Sequence, residues 1–361
     1  MSMTAESPSS SDTPHRFQVT TFIRRDQRGV LLNAIDCQSL ADVSLRQIDL
    51  RQFDIRERDA YRARISRQIQ QVSGFGHPAV LNSHGLVVEG DDAFIIMDPL
   101  ATARPLDERR GMPVDIAVSL ILQALDAFEA AHRQQLDLTD LRLRNFFVTP
   151  SHDLKILEFG ITPGDVGDLL NPALARPEDA ALMSPEQAVG EPWAQSSNIF
   201  SAGCLFYFLL SGNLPFQGSD YTRTVIQIVG HPHVPLLTLS PDLPPALAEV
   251  IDRALAKNPA DRFADIAAFR NAVHAAIRNP AFQIVSPDDV ARLATVLQDI
   301  MGPTGAVILR RALRTTRNTA HLVANCASHC GDAADSVLAR MTDVPADPIL
   351  HSAADTQAYQ P

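Results

Sequence analysis

Cysteine is scarce: four residues in 361 are too few for the disulfide framework that holds a small secreted fold together. Basic residues are in deficit as well, 31 Lys and Arg against 42 Asp and Glu, for a formal charge of −11. So acidic a chain is a poor nonspecific binder of nucleic acid or of an anionic membrane surface. No apolar run reaches the roughly 20 residues that a membrane-spanning helix needs; the longest, from Ile199 to Leu210, is interrupted by Ser201 and Gly203. The first residues, MSMTAESPSSSDTP, lack both the basic and the apolar region of a signal peptide, so the expected address is the cytoplasm. What remains, 45% hydrophobic and 20% charged, is the composition of an ordinary globular protein, long enough for one large or two ordinary domains.

From Arg16 to Leu100 the pattern is mainly that of strands: FQVTTFI, GVLLNAI, ADVSLRQIDL, and GLVVEGDDAFIIMD, whose Gly-Asp-Asp turn between apolar runs predicts a hairpin. Within this stretch Tyr61, Ile65, Ile69 and Val72 recur at helical spacing. After Pro113 the character changes to the apolar helix VDIAVSLILQALDAFEAAHRQ, a Leu/Asp-rich loop, two short strands NFFV and LKIL, and then almost only helices bounded by Gly, Pro or Asn-Pro. Ser286-Pro287 followed by two aspartates predicts a further helix start, with Val290, Leu293, Leu297 and Ile300 on one face before Gly302-Pro303. The expected organisation is a disordered leader over 1–15, a sheet lobe with one helix over 16–100, a helical lobe over 101–280, a helical appendage over 281–345 and a flexible tail over 346–361.

Four motifs follow in order: VSLR at 43–46, LTDLRLRN at 138–145, LKILEFGIT at 154–162, and LMSPEQ at 182–187, with KNPADR at 257–262 beyond them. A sheet lobe joined to a helical lobe that opens with a polar loop between short strands, carrying these motifs, resembles the eukaryotic-like Ser/Thr protein kinases of bacteria over about residues 16–278. The resemblance implies a bilobal α+β kinase-like fold with ATP and magnesium as the cofactors of an intact member. In LTDLRLRN, Asp140 matches the Asp that accepts the substrate hydroxyl proton, Asn145 matches a magnesium ligand, and Arg142 stands where a Lys orients the phosphate. In LMSPEQ, Pro185 and Glu186 match the end of the activation segment, where this Glu pairs with a late Arg, here Arg262; that role is structural. The apolar positions Ile69, Leu138 and Phe159 match residues that stack between the lobes.

Against this pattern stand several departures. The glycine loop that should lie between the first two strands reads IRRDQRGV, so only Gly29 remains of it, and Arg24, Arg25 and Arg28 are expected to be a solvated face or, failing that, to meet an anion. Arg46 replaces the phosphate-holding Lys, and Ile65 fills the slot of its helix Glu, so the ion pair that marks an active kinase is missing. Glu158 replaces the metal-binding Asp, which moves the carboxylate by about 1.5 Å, where magnesium demands near-octahedral oxygens at about 2.0 to 2.1 Å. It is read as a solvated or Arg-paired carboxylate or, failing that, as a displaced metal ligand. Thr139 replaces the Arg of the catalytic motif; Asp179 takes the slot of an activation-segment Thr that contacts the catalytic Asp; Asn198 replaces the helix Asp that braces the catalytic loop; and Phe147 replaces a smaller residue at the floor of the adenine site.

The first expectation is therefore a pseudokinase, a regulatory or scaffold module that engages a protein partner, with ATP and magnesium as its possible cofactors or with neither. A second is an atypical active Ser/Thr kinase with Asp140 as base, Arg142 and Arg46 on the phosphates, and Asn145 with Glu158 on magnesium. A third keeps nucleotide binding at Gly29, Arg46, Asn145 and Glu158 as a switch without transfer. His321, Cys326, His329 and Cys330 suggest zinc by residue type, but the ligands form no pair of separated knuckles and an apolar cysteine-bearing helix is the expected reading.

Overall fold

The computed structural model describes residues 16–26, 29–108, 111–136, 138, 141–161, 176–241, 243–278, 287–315 and 319–342. The expected leader and tail, together with Arg28, Thr139 and Asp140, lie outside them. By density of contacts the chain forms two compact units, one of residues 1–239 with 249–272 and one of 240–248 with 273–361.

The first unit opens with β1 (Phe17–Asp26), β2 (Gly29–Asp36), β3 (Ala41–Asp49), α1 (Ile55–Val72), β4 (Ser83–Glu89) and β5 (Asp92–Met97). Alternating apolar residues pair these strands into an antiparallel sheet of order β1-β2-β3-β5-β4. The expected hairpin is β4–β5, closed by Gly90 at φ 58 between Glu89 and Asp92. At the start of α1 the Glu57 side chain accepts from the Asp54 backbone amide at 3.1 Å. The helix then buries Tyr61, Ile65, Ile69 and Val72 in one core with Leu31, Ile48, Ile95 and Met97 of the sheet.

The helical lobe follows with β6 (Arg104–Pro105), α2 (Val114–Arg133), β7 (Phe146–Val148), β8 (Leu154–Ile156), α3 (Pro185–Ala188), α4 (Gln195–Ser211), α5 (Tyr221–Gly230), α6 (Leu236–Leu239), α7 (Pro245–Ala254) and α8 (Ile266–Arg278). Strands β6, β7 and β8 form a second antiparallel sheet; β6 has no sequence signal, because two residues show no period. Ile156 ties this lobe to the first by donating to Ala79 O at 2.7 Å and accepting from the Leu81 amide at 3.0 Å. Almost every residue of α4 is buried, and Gly203 lets it approach closely, since a Cβ there would lie 3.0 Å from that of Ala254. Gly212, at φ 69, ends α4 in the left-handed conformation that glycine favours.

In the second unit α9 (Pro287–Met301), α10 (Pro303–Thr315), α11 (Thr319–Ser328) and α12 (Ala334–Thr342) enclose a core of their own around Leu293, Leu297, Leu309, Leu322, Cys326 and Val337. Gly305 has a packing reason: a Cβ there would meet Leu297 O at 2.5 Å. Cys326 and Cys330 are buried in this core, and among the described residues no cluster of His, Cys, Asp or Glu could hold a metal ion. No described helix is long and apolar enough to cross a membrane.

Candidate active site

The cleft of the first unit is lined by β1, β3, the loop before β7 and the turn after β8. Arg142 leads into a 3-10 turn, Leu143–Asn145, so Asn145 lies in a turn and not in the strand NFFV. Its amide donates to Arg142 O and its carbonyl accepts from Leu157, both at 2.9 Å, which fixes the loop against the end of β8. The side chain is buried, and among the described residues Oδ1 of Asn145 accepts no hydrogen bond.

Glu158 follows β8 at φ 52, uncommon for a residue with a side chain, in a turn closed by the Ile161 amide on Glu158 O at 3.0 Å. Next to it Phe159 stacks on Phe75 at 5.3 Å and Phe128 at 6.3 Å, between the lobes. Gly160, at φ 71, admits Val72 of α1: a Cβ there would lie 2.8 Å from its Cγ1.

Arg46 sits on β3 between Leu31 of β2 and Ile95 of β5, with 1% of its surface exposed. Removing a guanidinium from water costs about several kcal/mol and needs close partners. Nε donates to Glu158 Oε1 at 2.6 Å, and Nη1 to Asp26 Oδ2 at 3.1 Å. The α1 slot opposite is the fully buried Ile65, while Glu57 is spent on the start of α1 and Asp59 lies 3.7 Å from Arg62. The arginine at the position where the resemblance expects a phosphate-holding Lys is thus tied to the carboxylate at the position where it expects a metal-binding Asp.

Asp179 accepts from Arg142 at 2.8 Å and also contacts Arg144. Two guanidiniums therefore face its carboxylate, while Asp140, which its slot would contact, lies outside the described residues. Arg24 departs from the expected solvated face: it donates to both oxygens of Asp107 at 2.7 and 3.0 Å and to Arg144 O at 3.3 Å, and lies 5.6 Å over the ring of Phe147. Asp26, Asp107 and Arg144 carry no site reading in the sequence, where Arg24 is expected to meet an anion only failing a solvated face. The available signal was the period of two along β1, which puts residues 24 and 26 on one face of the strand. Gly29 is required by the sheet: at φ 120, a Cβ would meet Gln47 O of β3 at 1.9 Å.

Below the cleft, Ser184 and Gln187 cap α3, Pro185 is its first residue, and Glu186 faces Arg262 through two hydrogen bonds of 2.8 Å. Ser197 also donates to Glu186 at 2.7 Å. Burial pushes the Glu186 carboxyl up, but the hydrogen bonds from Arg262, its own amide and Ser197 outweigh this and hold it below the usual range. Asn198 braces the loop by donating to Leu138 O at 2.9 Å, its Oδ1 lying 3.1 Å from His132 Nε2.

The two lobes and this cleft between them define the protein kinase fold. Residues 27–275 match the protein kinase domain family, and the chain belongs to it. It is 28% identical over 226 residues to the serine/threonine-protein kinase PknB of Mycolicibacterium smegmatis, covering 58% of this chain and 35% of that one. To Pkn1 of Myxococcus xanthus it is 31% identical over 59% of this chain and 32% of the relative, and to PknA of Mycobacterium tuberculosis 29% over 60% and 51%. The chain thus spans a third to a half of the length of these curated relatives. The crystal structure of Rad53 1-466 in complex with AMP-PNP superposes with a TM-score of 0.55 at 20% identity, over 71% of this chain and 64% of that one, a likeness of fold.

Proposed function

We propose that this kinase-like domain is a pseudokinase, a regulatory or scaffold module that acts in the bacterial cytoplasm through contacts with other proteins. The observation that carries the reading is the 2.6 Å bond between Arg46 and Glu158. Magnesium needs oxygens free to complete an octahedron, and a nucleotide needs a cation facing its phosphates. Here Glu158 already accepts from a guanidinium that would repel a dication, and that guanidinium lies between two carboxylates. Among the described residues the buried amide oxygen Oδ1 of Asn145 accepts no hydrogen bond and suits a metal, but the carboxylate of Glu158 is already engaged by Arg46. The donor set does not fit a magnesium–nucleotide complex. Net charge of −11 supports a protein partner over a nucleic acid.

That same Asn145 atom favours a second reading, an atypical Ser/Thr kinase in which Asp140 is the base. Thermal unfolding with ATP in magnesium, and again in EDTA, separates the two. A ligand at about 100 times its dissociation constant adds about 2.7 kcal/mol to the native state. The pseudokinase reading expects no rise in midpoint at millimolar ATP and no incorporation of labelled phosphate. A magnesium-dependent rise, with labelling abolished by Asp140→Asn, would establish the second reading.

A further inference from the structure

Six charged side chains from five separate segments alternate in sign across the cleft. Glu158 meets Arg46 at 2.6 Å; Arg46 meets Asp26 at 3.1 Å; Asp26 lies 3.9 Å from Arg144; Arg144 contacts Asp179; and Asp179 meets Arg142 at 2.8 Å. Three guanidiniums balance three carboxylates. Every one of these side chains is largely buried, Arg144 being the most open at 11%.

Asp26 is the unexpected member. It ends β1, opposite Gly29, at a hairpin end where a carboxylate ordinarily faces water, yet its side chain is 8% exposed. Oδ2 points between Arg46 of the sheet lobe and Arg144 of the helical lobe. An anion bridging these two cations is what a phosphate group would supply. Two residues earlier on the strand, Arg24 reaches Asp107 and Arg144 O, so the end of β1 is fastened to the other lobe at two points by its own side chains.

We propose that Asp26 is a tethered anion in the place of a polyphosphate, closing the cleft from within and excluding nucleotide by charge. The inference rests on the pseudokinase reading and assigns the residue responsible. Replacing Asp26 by the isosteric Asn leaves three guanidiniums against two carboxylates, so the positive charge between Arg46 and Arg144 is no longer compensated and favours a metal-free polyphosphate. Phosphate oxygens take charge-assisted hydrogen bonds from guanidinium well.

The test uses the full chain, its Asp26→Asn variant and an Asp107→Asn control, which loosens the outer tie to Arg24 while Asp26 stays. Each is titrated with sodium tripolyphosphate and with ATP in EDTA and followed by thermal unfolding and calorimetry. The expected result is no response from the parent protein or from Asp107→Asn, and a saturable rise in midpoint for Asp26→Asn, with affinity at least about tenfold above the parent's, which by free-energy arithmetic is about 1.4 kcal/mol. If Asp26→Asn fails to fold, Asp26→Ser carries the same charge change and Asp26→Glu serves as the charged control. A folded, silent charge-removing variant beside a silent parent overturns the inference and leaves the pseudokinase reading standing. An equal gain by Asp107→Asn also overturns it, because loosening alone would then suffice. A parent protein that itself responds to ATP in EDTA overturns the inference too, whereas a parent that in the separate magnesium measurement above is stabilised by ATP and incorporates labelled phosphate sinks the pseudokinase reading itself.

Discussion

Asn198 shows how one substituted atom reverses a local rule. Where an aspartate would receive backbone amides, its Nδ2 donates to Leu138 O at 2.9 Å, and its oxygen faces His132. A carboxylate cannot donate, so Asn198→Asp, which restores the residue the resemblance leads one to expect, sets an acceptor against an acceptor in a buried place. We expect a loss of about 1–3 kcal/mol, read as a lower urea midpoint at unchanged slope. An unchanged midpoint would mean that the Leu138 peptide turns over to present its amide. The same scale shows what the sequence concealed. Arg46 is legible as a substituted lysine and Glu158 as an Arg-paired carboxylate, but Asp26 is not legible as a partner, because it lies in the tract IRRDQRG, whose charges read as a solvated turn. Its burial depends on the pairing of β1 with β2 and on Arg144 across the cleft, both of which arise only in the folded chain.

Strand β1 is the edge of its sheet and is held at both ends by charge. At the far end from the cleft, Arg16 donates to Asp36 of β2 at 2.7 Å. The hydrogen bond from Arg16 is the main reason the Asp36 carboxyl is lowered to about 2; burial opposes it, and the Gln38 amide adds to it. A group depressed in the folded state stabilises it fully above its unfolded value of about 4 and loses that contribution as pH falls through its folded value. The stability difference between the parent protein and Asp36→Asn should therefore be widest above about pH 4 and close as the pH approaches about 2, measured by urea unfolding at each pH. A gap that stays constant over that range would show that Arg16 does not prefer the ionised form. At this scale the sequence reads well where a period exists: the five strands of the first sheet, α1 and α2 all follow from alternation or helical spacing. It reads poorly where geometry is set by a single turn, as in Leu143–Asn145, or by two residues, as in β6.

Separate apolar cores lie in the two units. One in the first unit gathers α1 and the first sheet around Ile65, Ile95 and Phe147; one in the second lies among α9 to α12 around Leu297. The face Val290, Leu293, Leu297, Ile300 was legible as an amphipathic helix, but a sequence alone could not tell whether it would close on its own neighbours. Leu293 and Leu297 are fully buried within the second unit's own core, together with Leu309, Leu322 and Val337 of the following helices. Each core then has its own stability, and opening of one need not expose the other. Leu297→Ala removes a buried side chain and leaves a cavity, a loss of about 2–5 kcal/mol. Amide hydrogen exchange should show that loss in peptides from 290–341, with protection in α2 and α4 of the first unit unchanged. Equal loss in both sets of peptides would mean that the two cores open as one cooperative unit.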